Sequence, residues 1–206
     1  MSDGRLLHIN VSPGGVPKLP VEAASITSGG VEGDRQREET VHGGPHRAVS
    51  ILGIEAIRRV AAEGHPIAPG TIGENLTTEG FDVSGLPVGT RLAIGDDLIL
   101  ELSAPTNPCR TIRHSFRDLR FSRLGMATHP NDSRMYARVI SPGTVRAGDP
   151  IRLSPPVDDA APRFTIALRL DQAERASSLA FWQAAADAGH DIRILDDGYI
   201  AVSAAP

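Results

Sequence analysis

Residues 90–112, TRLAIGDDLILELSAPTNPCRTI, hold the pattern that decides the fold. Thr90 to Ile94 and Leu98 to Ser103 are two apolar runs separated by Gly95, Asp96 and Asp97, which predicts an antiparallel hairpin. Pro105 and Pro108 then keep the chain extended and remove two backbone donors, so the second strand runs out into a stiff loop. That loop presents Cys109, the only cysteine in 206 residues. Arg110 follows directly, with Arg113 and His114 close by, and positive charge near a thiol favours the nucleophilic, metal-binding thiolate. Two readings of Cys109 stand side by side: a thiolate ligand or sulfur nucleophile, and a small apolar residue packed in the core.

Outward from the hairpin, the chain continues as short strands and glycine turns. Leu6 to Val11 and Ala23 to Ile26 are expected strands, with Ser12 to Pro20 as a loop between them. Ala48 to Leu52 is a further strand. Gly53 to Gly64 has apolar residues at Ile54, Ile57, Val60 and Ala61, which predicts a core-facing helix stopped by Gly64. Thr71 to Thr77 reads as a turn entering a strand. Phe116 to Gly125 is expected as a short helix, Ser133 to Ile140 as a strand, Ser141 to Asp149 as a turn and Ile151 to Leu153 as a last strand. This pattern predicts a mainly β domain over residues 1–154, a β-barrel with a few short helices. Residues 155–162, with three prolines, read as a linker. Residues 163–206 form a small α+β C-terminal appendix: a strand at Phe164 to Leu170, a helix at Gln172 to Ala188, and a hairpin of Ile192 to Leu195 with Tyr199 to Val202. Packing or homo-oligomer formation is its expected role.

Composition narrows the function classes. A formal net charge of −4 argues against a generic nucleic-acid binder, so any anion site is local. One cysteine excludes an internal disulfide framework and a four-cysteine zinc site, and suits a reducing cytoplasm. There is no signal-peptide core and no apolar run near the roughly 20 residues of a membrane span, so a cytoplasmic protein without membrane partners is expected. The 21 glycines and 16 prolines call for many tight turns. No Gly-x-Gly-x-x-Gly and no Walker loop occurs, nor a serine elbow.

Other constellations have two readings each. His42 and His46 flank Gly43, Gly44 and Pro45, which excludes a zinc-binding helix. The glycine pair and Arg47 suit an anion cradle with phosphate as guest, or else a plain turn with solvated side chains. Glu74 and Asn75 lie in another glycine turn. Arg134 and Tyr136 share a strand face by the two-residue period and either order a bound anion or ring, or join a cross-strand ion pair.

Taken in order, these segments resemble the MOSC family, the domain named for the C-terminal part of molybdenum cofactor sulfurases, in its small stand-alone bacterial form. The series is Asn10 to Lys18, Gly33 to Gln36, His42 to Val49, Gly73 to Thr77 with Gly80, Pro108 with Cys109, Arg134 with Tyr136, and Gly148 with Asp149. It spans residues 5–153 and leaves the appendix outside. The resemblance implies a MOSC-type β-barrel that binds the molybdenum cofactor, molybdopterin, with Cys109 as the metal ligand. It implies cofactor contacts at His42, Gly43, Gly44, Arg47, Asn75, Asn107, Arg134 and Tyr136, and proton handling by His46, Glu74 or Arg134 beside Cys109. The expected activity is an oxidoreductase reducing small N-hydroxylated compounds, with electrons from a separate electron-donor reductase. The alternatives are a sulfur carrier with a Cys109 persulfide, and a non-enzymatic cofactor-binding module.

Overall fold

The computed structural model describes residues 3–35 and 44–156, together with the backbone of three further strands at 166–169, 191–194 and 199–203. The helix expected at Gln172 to Ala188 lies outside the described residues, as does most of the 155–162 linker. Among the described residues eleven strands lie between Gly4 and Ser154: β1 Gly4–Val11, β2 Leu19–Val21, β3 Ala23–Thr27, β4 Gly30–Val31, β5 Val49–Gly53, β6 Leu76–Glu79, β7 Arg91–Ile94, β8 Leu98–Pro105, β9 Met135–Ser141, β10 Gly143–Arg146 and β11 Pro150–Ser154. Seven of them close a barrel in the order β11-β7-β8-β9-β5-β6-β1, with β1 returning to β11 through Gly4 opposite Ile151. Closure leaves only β2 as an added edge beside β1, and bulges in the β1–β6 and β8–β9 ladders bend the strands enough to close it.

Binary patterning explains the wall. Leu98, Leu100, Leu102 and Ala104 of β8 recur every second residue and are all buried, the three leucines meeting Leu6, Ile9, Ile51, Leu76, Leu92, Ile94, Met135, Ala137 and Ile151 inside the barrel. On the other face of β8, Glu101 sits between Arg91 (3.0 Å) and Arg138 (2.9 Å), residues directly opposite it on β7 and β9. The β9 cation that forms a cross-strand ion pair is therefore Arg138, and not Arg134. The predicted β7–β8 hairpin is present, with Ile94 opposite Leu98.

One pair, β5 with β6, is parallel, and parallel neighbours need a crossover. It is supplied by helix α1, Ile54–Ala62, and the loop that follows. Gly64 at φ 87 ends the helix, its amide donating to Ala61 O at 2.9 Å. The buried face of α1 meets Leu52, Ile67, Ile72, Ile112, Phe116 and Leu124 in a second core outside the barrel. The segment after Cys109 is thereby held against the helix.

Two expectations are corrected here. Phe116 to Gly125 forms no α-helix; the chain makes 3-10 turns at Arg110–Ser115 and Phe121–Leu124, broken by Leu119 at φ 61. Ile112, Phe116 and Leu124 reach the second core at spacings that a turn-by-turn path satisfies. Ser141 to Asp149 is not all turn either, since Gly143–Arg146 is β10, which pairs with β3 from Ile26 opposite Gly143 to Ala23 opposite Arg146. Val145, fully buried, is its one apolar side chain, too little for a periodic signal. In the C-terminal region, β12 Ile166–Arg169, β13 Asp191–Ile194 and β14 Tyr199–Ser203 form an antiparallel sheet in the order β12-β14-β13.

Candidate functional site

Cys109 is half-buried and extended (φ −127, ψ 167), the last residue before the 3-10 turn Arg110–Ser115. Both flanks of its loop are fastened. Upstream, Thr106 donates its amide to Arg134 O at 2.8 Å and Ser133 Oγ donates to Thr106 O at 3.3 Å. Downstream, the Ile112 amide closes on Cys109 O at 3.2 Å and Ser115 Oγ donates to Thr71 O at 2.9 Å. The thiol is therefore carried on a braced loop between β8 and the second core.

The next residue, Arg110, enters a cleft of about 910 Å³ lined by Gly14, Gly15, Val16, Arg110, Thr111, Arg113 and His114; Cys109 itself is not among the lining residues. Gly14 (φ 148) and Gly15 (φ 104) adopt backbone angles that side chains disfavour, and a Cβ on either would meet nothing within 4 Å. They leave backbone bare on one wall of the cleft. The rest of the lining is largely cationic: Arg110, Arg113 and His114 are exposed, and Arg113 Nε lies 3.2 Å from His114 Nε2. Among the described residues neither Arg110 nor Arg113 forms an ion pair.

Behind the glycine wall the polar groups are enclosed. Lys18 Nζ meets Asp34 Oδ2 at 2.5 Å with side-chain exposures of 8% and 6%. Burial outweighs the attraction of Asp34 and, helped by repulsion from Arg134, pushes the Lys18 ammonium below its ordinary pKa. Asp34 also accepts from the Ser12 amide (2.9 Å) and from Asn75 Nδ2 (2.8 Å). Asn75 Oδ1 accepts from the Ser50 amide (3.2 Å) and from Ser50 Oγ (3.0 Å), and Asn75 Nδ2 reaches Asn10 O at 3.4 Å. Glu74 has no exposed surface; Oε1 accepts from the Gly70 amide (2.6 Å) and from Thr77 Oγ1 (3.1 Å). Loss of solvation raises its pKa, against the pull of the Gly70 amide.

The expected site residues fall into distinct places. Gly44 and the Pro45–Arg47 turn lie against β9, where the Arg47 guanidinium stands 5.5 Å over the Tyr136 ring. Ser103 Oγ donates to His46 O and ties that turn to the end of β8. His42 and Gly43 lie outside the described residues. Arg134 donates to Ile72 O and sits 3.5 Å from Thr106 Oγ1, so it joins the 72–75 turn to the cysteine loop. Asn107 is exposed on that loop. Asn75 is 2% exposed, with its amide group used on both sides by Ser50, Asp34 and Asn10, so its geometry is that of a brace between strands. Glu74 lies deeper still. Sequence reasoning missed Gly14, Gly15 and His114 as cleft residues and Lys18 with Asp34 as a buried pair. The available signal was the glycine doublet after the first strand and the placing of Asp34 after Gly33.

Comparisons with known proteins agree with this fold. The model of the MOSC domain matches residues 38–152, more than half of the chain. Protein YiiM of Escherichia coli strain K12 is 32% identical over 152 residues, which are 71% of this chain and 66% of that protein. A protein of Gibberella moniliformis named "Reductase" is 31% identical over 128 residues, 60% of this chain but 22% of its own length. The chain thus spans just under two thirds of the first of these relatives and about a fifth of the second. The crystal structure of YiiM from Escherichia coli superposes with a TM-score of 0.56 at 26% identity, over 76% of this chain and 73% of that one. A barrel of this topology, with the family match running over residues 38–152 and so into β11, makes the chain a member of the MOSC domain family.

Proposed function

We propose that this chain is a molybdenum-cofactor-binding oxidoreductase that reduces N-hydroxylated compounds with electrons from a separate reductase. One observation carries the proposal: the only thiol of the chain stands on a braced loop directly before Arg110, which enters a wide cleft whose lining combines bare glycine backbone with cations that form no ion pair among the described residues. The donor set suits a metal that arrives with sulfur ligands of its own. Among the described residues no group of three or more His, Cys, Asp or Glu is placed to hold a metal unaided, whereas a single thiolate completes the coordination of a thiophilic centre. The fungal relative's name, "Reductase", points to the same class of reaction.

In this reading Cys109 is the protein's ligand to molybdenum, and the Gly44–Arg47 turn with His42 and Gly43 holds the cofactor's phosphate. The bound cofactor supplies the two-electron chemistry. The substrate loses its N–O bond, takes up two electrons and two protons, and leaves as the amine with one water. His114, on the cleft wall, is better placed than Glu74 to pass those protons, because the Glu74 carboxyl is wholly enclosed. Arg110 and Arg113 draw anionic groups to the cleft.

The decisive experiment purifies the protein from a host that makes the cofactor and measures molybdenum alongside reduction of a small N-hydroxylated compound. Stoichiometric metal with activity, both lost in Cys109→Ala, is the expected result. A metal-free protein from such a host, or full metal content in Cys109→Ala, overturns it. Addition of one sulfur atom to Cys109 by a cysteine desulfurase, without bound metal, would instead assign the thiol to sulfur carriage.

A further inference from the structure

Residues 110–123 contain Arg110, Arg113, His114, Arg117, Arg120 and Arg123 against one acid, Asp118, in a chain whose formal net charge is −4. Only Arg123 is neutralised inside the fold, by Glu63 and by Asp132 at 2.7 Å. Arg110, Arg113, Arg117 and Arg120 are exposed, and among the described residues the one ion pair any of them forms is Arg120 with Asp118 at 3.2 Å, its arginine side chain 80% exposed. The cations face outward on a rigid support. Ile112, Phe116 and Leu124 anchor the segment in the second core, and Arg123 clamps it to Glu63 and Asp132.

Among these arginines stands Leu119, 51% exposed and held at φ 61. Left-handed backbone disfavours any residue with a branched apolar side chain, and glycine or asparagine would sit there with less strain. Its exposed position gives leucine little return in burial within this chain. An apolar knob ringed by arginines has the anatomy of a docking surface, with an apolar centre and a charged rim.

We propose that this face, centred on Leu119 with Arg117 and Arg120, docks an acidic electron-carrier protein, a flavin or iron–sulfur partner with carboxylates around its prosthetic group. The proposal rests on the reductase reading above, which needs an outside electron source because the sequence has no flavin or iron–sulfur motif. The reduced carrier gives up two electrons in total and is oxidised. The substrate's N–O bond breaks with two protons from solvent, yielding amine and water. Complementary charge would steer the encounter, and the ledge leads along the chain directly to Cys109.

The test measures binding of two probes, an acidic plant-type ferredoxin and a flavodoxin, to the full chain at low and high salt, and compares turnover driven by each with turnover driven by reduced methyl viologen. Arg117→Glu with Arg120→Glu is expected to weaken binding of at least one probe about tenfold or more, as high salt does to the wild type. Arg146→Glu with Arg152→Glu, an equal charge change on exposed strand positions, is expected to act less than about twofold. Leu119→Gly should weaken docking while leaving the melting temperature unchanged or higher, an outcome a merely structural leucine would not give. Viologen-driven turnover should be the same in all of these variants. The proposal is overturned if neither probe binds in a salt-sensitive way, if the two reversal pairs act alike, if a DNA duplex binds more tightly than both probes, or if viologen-driven turnover falls with the Arg117 and Arg120 reversals. Wild type lacking viologen-driven turnover sinks the reductase reading instead, and the binding curves still decide the docking surface.

Discussion

On one side of the loop from Gly14 to Lys18, the charges of Lys18 and Asp34 are sealed from water, joined to Asn75, Ser50 and Asn10 by hydrogen bonds. On the other side, Arg110, Arg113 and His114 line an open cleft with no carboxylate partner among the described residues. The two regions lie within one short loop of each other and use their charges for opposite ends. A buried ion costs several kcal/mol to desolvate, so Lys18, Asp34, Asn75 and Ser50 spend their hydrogen bonds on one another and tie β1, β5 and β6 together. Cations left in water cost the fold almost nothing and stay available to a ligand. Charge that is already satisfied belongs to the scaffold, and charge left open belongs to the chemistry.

The widest separation between the regions is expected at Cys109. Cys109→Ala should lower turnover about a thousandfold or more, while unfolding in urea shifts by less than about 1 kcal/mol. A large loss of stability would move the thiol from the open region to the scaffold. Next comes Asp34→Ala, which strands the Lys18 ammonium indoors and should cost about 3–5 kcal/mol of unfolding free energy. Lys18→Met should cost less than half of that, because Asp34 keeps its bonds from the Ser12 amide and from Asn75. Equal losses from the two substitutions, measured by denaturant titration, would break the picture of Asp34 as the hub.

Glu74→Gln sharpens the comparison through pH. The native carboxyl holds its proton above the ordinary carboxylate range, whereas the unfolded chain releases it there, so native stability is fully present below the unfolded pKa and declines as pH rises toward the folded one. The glutamine variant lacks this decline. Urea titrations at about pH 5 and about pH 8 should show the stability of the variant improving relative to wild type at the higher pH. A constant difference would mean that Glu74 is ionised in the fold. The smallest effect is expected on the open side, where Arg110→Ala and Arg113→Ala should each change stability by no more than about 0.5 kcal/mol.

How much of this was legible in the residues differs by region. The β7–β8 hairpin and α1 were readable because their signals are local: a Gly-Asp-Asp turn between apolar runs, and a 3.6-residue stripe ended by Gly64. The β10 strand was not, because a single buried Val145 carries no period and its strand character comes from pairing with β3, more than a hundred residues earlier in the chain. The helix expected at Phe116 to Gly125 failed for a related reason: three anchors in a second core and a left-handed Leu119 set the path, and neither is visible in helical propensity. At the site, the sequence singled out Cys109 and the cations after it. It also placed Asn75 and Arg134 among the cofactor contacts and Glu74 with the proton-handling groups; in the fold Asn75 and Arg134 join strands and loops, and Glu74 is wholly enclosed.

The sequence by itself determined that short strands and glycine turns build a mainly β barrel and that its only thiol stands on a proline-stiffened loop, because turn chemistry, alternation and the scarcity of cysteine are properties of neighbouring residues; that the barrel is of the MOSC type was carried by resemblance. Only the tertiary structure decided which polar residues are sealed and which face the cleft. That choice depends on what distant strands bring against each side chain, Asp34 against Lys18 and Asn75, or open space against Gly14 and Gly15. Whether such neighbours exchange water for hydrogen bonds is what divides a brace from a binding group.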